Sequence, residues 1–437
     1  MRTCIQNVIL MPGVTNEAHL PFIMNAEIHI VNEMIVYAGK AEQAPAFEAD
    51  KTIDGRGAVA MPGLINMHTH TPMISMRNTG NDMPLADWLT KAVFPVEHHW
   101  DDAGVLAASY LGIMEMLRFG TTCFNDMYMR MDMEAKAVEE TGIRAMLGYG
   151  IVDFDSVCRD FEPGIELVEK WNHKADDRIR ISIDPHAENT TTPAVLEKVR
   201  KASLEYKVPV HIHVCETKPE VDGCLQRRGM TPPQYFESIG LLDCPTIAAH
   251  CVWMTDDDID LFAKRGVTIV HNPMSNCKLA SGIAPVQKML ERGCRVTIGT
   301  DGVASNNSLN LWEEIKMMPM LQKVSLLDAA VVSPAQVIAA ATSNAAEALG
   351  YENLGFVKEG YLADLILVDL NVPNSTSTND LETNLIYSTQ GSDVCMTMVH
   401  GKVLYENGRY TTLDAEKVMR DAKRETELLY ERTSAAK

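Results

Sequence analysis

The chain has 437 residues, 46% of them apolar, and a formal net charge of −20. That length holds one large domain with a smaller one appended, or two to three ordinary domains, with ample apolar sequence for a core. The acidic balance excludes nucleic acid as a partner, because a polyanion is bound through clustered Lys and Arg and this chain has no such patch.

The opening MRTCIQNVIL carries one Arg and no long apolar run, so it does not read as a secretory signal. No stretch has the uninterrupted apolar length that would span a bilayer, and no membrane partner is expected. The ten cysteines are scattered from Cys4 to Cys395 without a C-x-x-C pair, which fits reduced thiols in a soluble, cytoplasmic protein. Residues 1–60 read as short strands broken by turns: AEIHIVNEMIVYAG runs apolar and DGRG turns the chain. Similar material returns near the end, in ADLILVDL (363–370) and VCMTMVHGKVLYENGRY (394–410), the latter a hairpin around Gly401. The expectation is a small β-sandwich domain assembled from residues 1–60 and 361–437.

Between these ends, residues 61–360 alternate short apolar runs with amphipathic stretches, the signature of βα units. Eight strands are expected, over 59–68, 121–126, 144–153, 178–186, 208–214, 246–250, 267–271 and 294–301. Helix signals separate them. Thr192-Pro193 and Ser333-Pro334 are N-caps with Pro at the first helical position, and DDAGVLAASYLGIMEMLRFG has helical apolar spacing closed by Gly120. Eight parallel strands with helical crossovers imply an α/β fold, a (β/α)8 TIM barrel.

In such barrels the chemistry sits at the C-terminal ends of the strands, and the polar residues of this chain are there. His68 and His70 close the first strand; at i and i+2 they share a face and can reach one ion, although H-x-H alone is a weak signal. His213 closes the fifth strand with Glu216 three residues on, His250 closes the sixth and His271 the seventh. His211 lies deeper and reads as a core histidine with a satisfied hydrogen bond. Asp301 follows the eighth strand, where a buried carboxylate is costly unless paired or bound to a cation. Together His68, His70, His213 and Asp301 supply donors typical of Zn2+, one per chain, with iron, manganese or nickel compatible with the same set. A vacant position on such an ion would leave room for a water of lowered pKa.

With these residues in this order, the sequence resembles the amidohydrolase superfamily over nearly its whole length. Within it, the resemblance is to the methylthioadenosine/S-adenosylhomocysteine deaminases, carried by PGLINMHTH, NDMPLADWL, FPVEHHW, HVCET, AAHCVW, HNPMSNCKLASGIAPV and GTDGVASNN. Binuclear relatives use a modified lysine at the end of strand four; here RIRISIDPHAE has His186 and no lysine, so one metal is expected. The resemblance implies His68, His70, His213 and Asp301 as zinc ligands. It implies Glu216 as the group that protonates N1 of an adenine while an activated water attacks C6, with Asp301 moving the water's proton to departing ammonia and His250 hydrogen-bonding the attacking oxygen. Glu97 would accept hydrogen bonds from ribose hydroxyls, its plain alternative being an exposed helical charge, and His186 would touch the substrate. Trp88 reads either as a pocket wall or as a buried aromatic holding a helix in place.

One position departs from the pattern. Relatives that accept homocysteine-bearing substrates tend to carry arginine-glycine after strand three, where this chain has Tyr149-Gly150. Tyrosine cannot form a bidentate pair with a carboxylate; Arg159 is the residue that would compensate, its plain alternative being a surface arginine. Methylthioadenosine, adenosine and 5′-deoxyadenosine are therefore expected ahead of S-adenosylhomocysteine. The competing reading is a superfamily hydrolase of another amino- or chloro-substituted heterocycle (a pterin, guanine or s-triazine), for which Glu97 would have no evident use. A non-catalytic assembly protein is disfavoured because no proposed ligand is missing. The exposed faces of a barrel leave a homo-oligomer open.

Overall fold

The computed structural model describes residues 1–15, 17–154 and 157–435. Five strands open the chain: β1 (Arg2–Leu10), β2 (Ile23–Val31), β3 (Met34–Lys40), β4 (Lys51–Asp54) and β5 (Val59–Pro62). Then come β6 (Leu64–Thr69), β7 (Thr121–Tyr128), β8 (Arg144–Phe154), β9 (Val157–Arg159), β10 (Ile179–Pro185), β11 (Val210–Val214), β12 (Thr246–His250), β13 (Thr268–His271) and β14 (Arg295–Ile298). The last are β15 (Leu365–Val368), β16 (Val394–Val399), β17 (Lys402–Glu406) and β18 (Arg409–Tyr410).

One sheet runs β6-β7-β8-β10-β11-β12-β13-β14 with every neighbouring pair parallel. Its strands are buried throughout or nearly so, as parallel strands covered on both faces must be. The two end strands meet through polar contacts. Asp301 N–H donates to His68 O (2.8 Å), and Asn66 exchanges hydrogen bonds with Thr300 through both its side-chain oxygen (3.0 Å) and nitrogen (2.8 Å). Gly299 permits this approach, since a Cβ there would fall 2.7 Å from His68 N. The sheet is thereby closed into the expected eight-stranded barrel. Helix caps follow the sequence signals: Thr192 accepts from Val195 N–H, and Ser333 forms a reciprocal box with Gln336.

The first barrel strand begins later than expected. The apolar run from residue 59 is two strands, β5 and β6, broken at Gly63, where a Cβ would sit 2.2 Å from the Thr122 side chain. The chain leaves one sheet and enters the other at this point, which periodicity alone does not reveal. β5 belongs to a second sheet built from both ends of the chain: it pairs parallel with β1 and antiparallel with β15, Val59 opposite Val368 and Pro62 opposite Leu365. Ile5, Ile28 and Ile30 from the beginning and Leu365, Leu367 and Met398 from the end share its core. The helix Ala415–Ala435 returns to the barrel, with Arg432 paired to Asp101 (2.8 Å) at the start of the helix Asp102–Arg118. Among the described residues no helix is long and apolar enough to cross a membrane.

A buried ion pair ties the two sheets together. Arg144, at the start of β8, donates from Nε to Asp364 Oδ2 (2.9 Å) and from Nη2 to Oδ1 (3.2 Å), and both side chains are 1% exposed. Removing one partner strands the other charge in the interior. Arg144→Ala is expected to cost about 3–5 kcal/mol of unfolding free energy in urea titrations; a loss under about 1 kcal/mol would show that the pair is not what joins the sheets.

Candidate metal centre and substrate pocket

The strand ends of the barrel bring four of the expected residues to one point. His70 Nε2 lies 3.2 Å from Asp301 Oδ1 and His68 Nε2 lies 3.4 Å from the same oxygen. Ligand atoms of His68, His70 and His213 all lie within 4.8 Å of one another, as do those of His68, His250 and Asp301. A tetrahedral zinc site with arms of about 2.0–2.1 Å has edges of about 3.3–3.4 Å, so the two carboxylate-imidazole distances suit a shared ion.

The far side of each ring prepares it for that task. Nδ1–H of His70 donates to Met127 O (2.6 Å) and Nδ1–H of His213 to His186 O (2.7 Å), which leaves Nε2 of each as a lone-pair donor. His68 Nε2 is buried without a hydrogen-bond partner, an orphan that a cation would satisfy. Burial, reinforced by neighbouring imidazoles, holds the His213 ring well below its ordinary pKa. Burial alone would raise the Asp301 carboxyl, but the His68 and His70 rings beside it outweigh burial and hold the group well below the usual range. Asp301 also accepts from Ser275 Oγ (2.6 Å), Ser305 Oγ (2.9 Å) and Gly302 N–H (2.7 Å). Its backbone sits at φ 61° and that of His250 at φ 74°, left-handed conformations that turn both side chains at the barrel mouth. The donor set is thus chemically suited to one divalent ion, and His68, His70, His213 and Asp301 are the residues that would hold it.

Above this cluster opens a cavity of about 480 Å³, within the range of small-molecule sites. His70, His213, Glu216, His250 and Asp301 contribute to its lining, as do Glu97, Tyr128, Arg159, His186, Trp88 and Trp253. Glu216 leaves β11 where the next helix, Lys218–Arg228, begins in a Thr217–Glu220 capping box. The Glu220 carboxylate accepts the N–H groups of Cys215 (2.9 Å) and Glu216 (2.8 Å), which fixes the direction in which Glu216 points. Burial raises the Glu216 carboxyl above its ordinary pKa; Ser281 Oγ donates to its Oε1 (3.3 Å), and His250 Nε2 stands 3.7 Å from its Oε2. His250 is held from behind by Asn276, with Nδ1 2.9 Å from Oδ1.

Also in the cavity lining, Glu97 is 5% exposed and paired with Arg159 Nη2 (2.5 Å). The surface-arginine alternative for Arg159 therefore does not hold: the β8–β9 hairpin delivers it into the cavity. His186 is pushed down to about 3, by burial first and then by Arg159, which keeps it a neutral hydrogen-bonding ring. His271 is completely buried away from the cavity lining and is held neutral by burial, its pKa lowered to about 3. Sequence reasoning did not single out Ser275, Ser305, Asn276 or Ser281. The signal was present in HNPMSNCKLAS and GTDGVASN, but a serine or asparagine in a loop motif has no distinguishing chemistry until its partner is placed.

Residues 59–404 match the amidohydrolase family. The chain is 39% identical over 436 residues to a 5-methylthioadenosine/S-adenosylhomocysteine deaminase of Thermoanaerobacter pseudethanolicus, covering 99% of this chain and 100% of that protein. It is 44% identical over 390 residues to a 5′-deoxyadenosine deaminase of Methanosarcina acetivorans, covering 89% and 90%. The solved structure of an adenosine deaminase from Xanthomonas campestris with bound zinc superimposes with a TM-score of 0.93 at 32% identity, covering 98% of both chains.

Zinc supplied at about 1,000 times its Kd is expected to raise the unfolding free energy by about 4 kcal/mol. His70→Ala is expected to abolish that increment in thermal melts with and without zinc; an undiminished shift would place the ion elsewhere.

Proposed function

The chain belongs to the amidohydrolase family, and we propose that it hydrolyses adenine nucleosides to the inosine analogue and ammonia, with zinc on His68, His70, His213 and Asp301. The observation that carries this reading is the presence, in the lining of one cavity, of a His3Asp donor set beside Glu216 together with a buried carboxylate, Glu97. The first suits attack at an aromatic C–N bond, and the second suits a ribose.

A divalent ion on these donors supplies charge stabilisation and lowers the pKa of a water bound to it. The protein's own residues supply the rest. Glu216, raised by burial, is placed to hand a proton to N1 of the ring, so that negative charge does not accumulate there as water adds to C6. Asp301 takes one proton from that water and passes it to the amino group, which leaves as ammonia when the C6–N6 bond breaks, while the remaining hydroxyl proton at C6 returns to Glu216 and the C6 oxygen becomes the carbonyl. His250, anchored by Asn276, presents Nε2 toward the same space and hydrogen-bonds the attacking oxygen. His186 contacts the base, Trp88 walls the pocket, and Glu97 accepts from the ribose hydroxyls.

Arg159 sets the order of substrates. Its guanidinium is already engaged by Glu97, so a homocysteine carboxylate would have to compete for it, and the chain has Tyr149 where an arginine would otherwise help. Methylthioadenosine, adenosine and 5′-deoxyadenosine are accordingly placed ahead of S-adenosylhomocysteine. Described cysteines form no disulfide, in keeping with action in the reducing cytoplasm.

The test follows ultraviolet absorbance of the four nucleosides with zinc-loaded protein. Glu216→Gln is expected to lower kcat at least about 100-fold, and Glu97→Ala to raise KM about tenfold or more through the lost charged hydrogen bonds. Turnover of a pterin, guanine or triazine but of no nucleoside would overturn the proposal in favour of another heterocycle.

A further inference from the structure

We infer that His211 is a positioning residue for the metal centre, fixing the tautomer in which His68 turns its Nε2 toward the ion. The inference rests on the reading of His68 as a ligand. His70 and His213 have their tautomers set by backbone carbonyls, which can only accept. His68 is different: its Nδ1 meets another ring nitrogen, His211 Nε2, at 3.0 Å. Either nitrogen of such a pair can be the donor, so the direction has to be decided one residue further back.

Asp184 decides it. Its Oδ2 lies 3.4 Å from His211 Nδ1, and His68, His211 and Asp184 are all completely buried. Among the described residues neither Asp184 oxygen has a hydrogen-bond partner, so it is the negative charge of a carboxylate 3.4 Å away that favours a hydrogen on His211 Nδ1. That leaves the lone pair of His211 on Nε2, puts the hydrogen of His68 on Nδ1, and frees His68 Nε2 for a cation. Asn125 Nδ2 gives one of its two hydrogens to Met67 O (3.0 Å) and its second faces the same His211 nitrogen (3.3 Å), a contact that the charge of Asp184 has to outweigh.

The barrel makes room for this chain of contacts. His211 and His213 share a face of β11 at i and i+2, so His211 lies one layer below the ligand. Asp184 lies on β10, and β8 on its other side carries Gly148, where a Cβ would fall 1.9–2.3 Å from the Asp184 carboxylate atoms. Any side chain at 148 would displace the carboxylate, and with it the group that directs His211.

The test compares His211→Gln, whose amide oxygen can accept from His68, with His211→Leu, which cannot. Zinc Kd is measured by competition with a chromophoric chelator, and Tm is measured on the metal-free proteins. His211→Leu is expected to raise the Kd about 10–100-fold and His211→Gln less than about threefold, with similar metal-free Tm values. Asp184→Asn, which keeps the volume, is expected to weaken zinc several-fold and serves if the leucine variant does not fold. Equal losses of affinity and metal-free Tm in both His211 variants would mean packing alone, and no change in Kd in the leucine and asparagine variants would equally overturn the inference. Full zinc affinity in His68→Ala would overturn the ligand reading and the inference together.

Discussion

The seam between β14 and β6 is the constraint on which the rest of the site depends. Asp301 N–H donates to His68 O across it, Asn66 and Thr300 lock side by side, and Gly299 lets the two strands approach. This seam brings a carboxylate from the last barrel strand to 3.2–3.4 Å from the imidazoles of the first. Closing a loop of that length costs entropy that no single contact offsets. The close-packed strands between, buried on both faces, provide most of what compensates.

Electrostatics gives the seam its function. Asp301, Glu216 and Asp184 are carboxyls in a nearly dry interior, and each is costly there without partners. Two serine hydroxyls and two rings serve Asp301, Ser281 and His250 stand at Glu216, and His211 faces Asp184. A divalent cation held there would complete the balance at Asp301, where a further hydrogen-bond donor such as a third serine could not neutralise charge. The same low dielectric that penalises these groups strengthens what they do to charge developing on a bound ring.

Much of this arrangement is legible in the chain because barrel geometry assigns meaning to position. His68, His70, His213, His250 and Asp301 close apolar runs, and strand ends are where a barrel presents side chains to substrate. The break at Gly63 was not legible, because the sequence from Val59 to Ile65 is apolar on both sides of it while the glycine answers to Thr122, distant in sequence. His211 read as a core histidine since nothing local shows that its neighbour is His68. The Arg159–Glu97 pair was equally hidden, as it joins the far end of β9 to a helix about sixty residues earlier. Contacts set by parity along one strand could be read; contacts set by which strands are neighbours could not.

The central claim is that water, acting at this centre, replaces the amino group at C6 of an adenine nucleoside. Its most direct test is turnover of 5′-deoxyadenosine by the zinc-loaded protein in 18O-labelled water, with the product weighed by mass spectrometry and ammonia assayed in the same sample. The account requires one 18O atom in the base of each product molecule and one ammonia per turnover. Product without label in the base, or labelled product without ammonia, would contradict it.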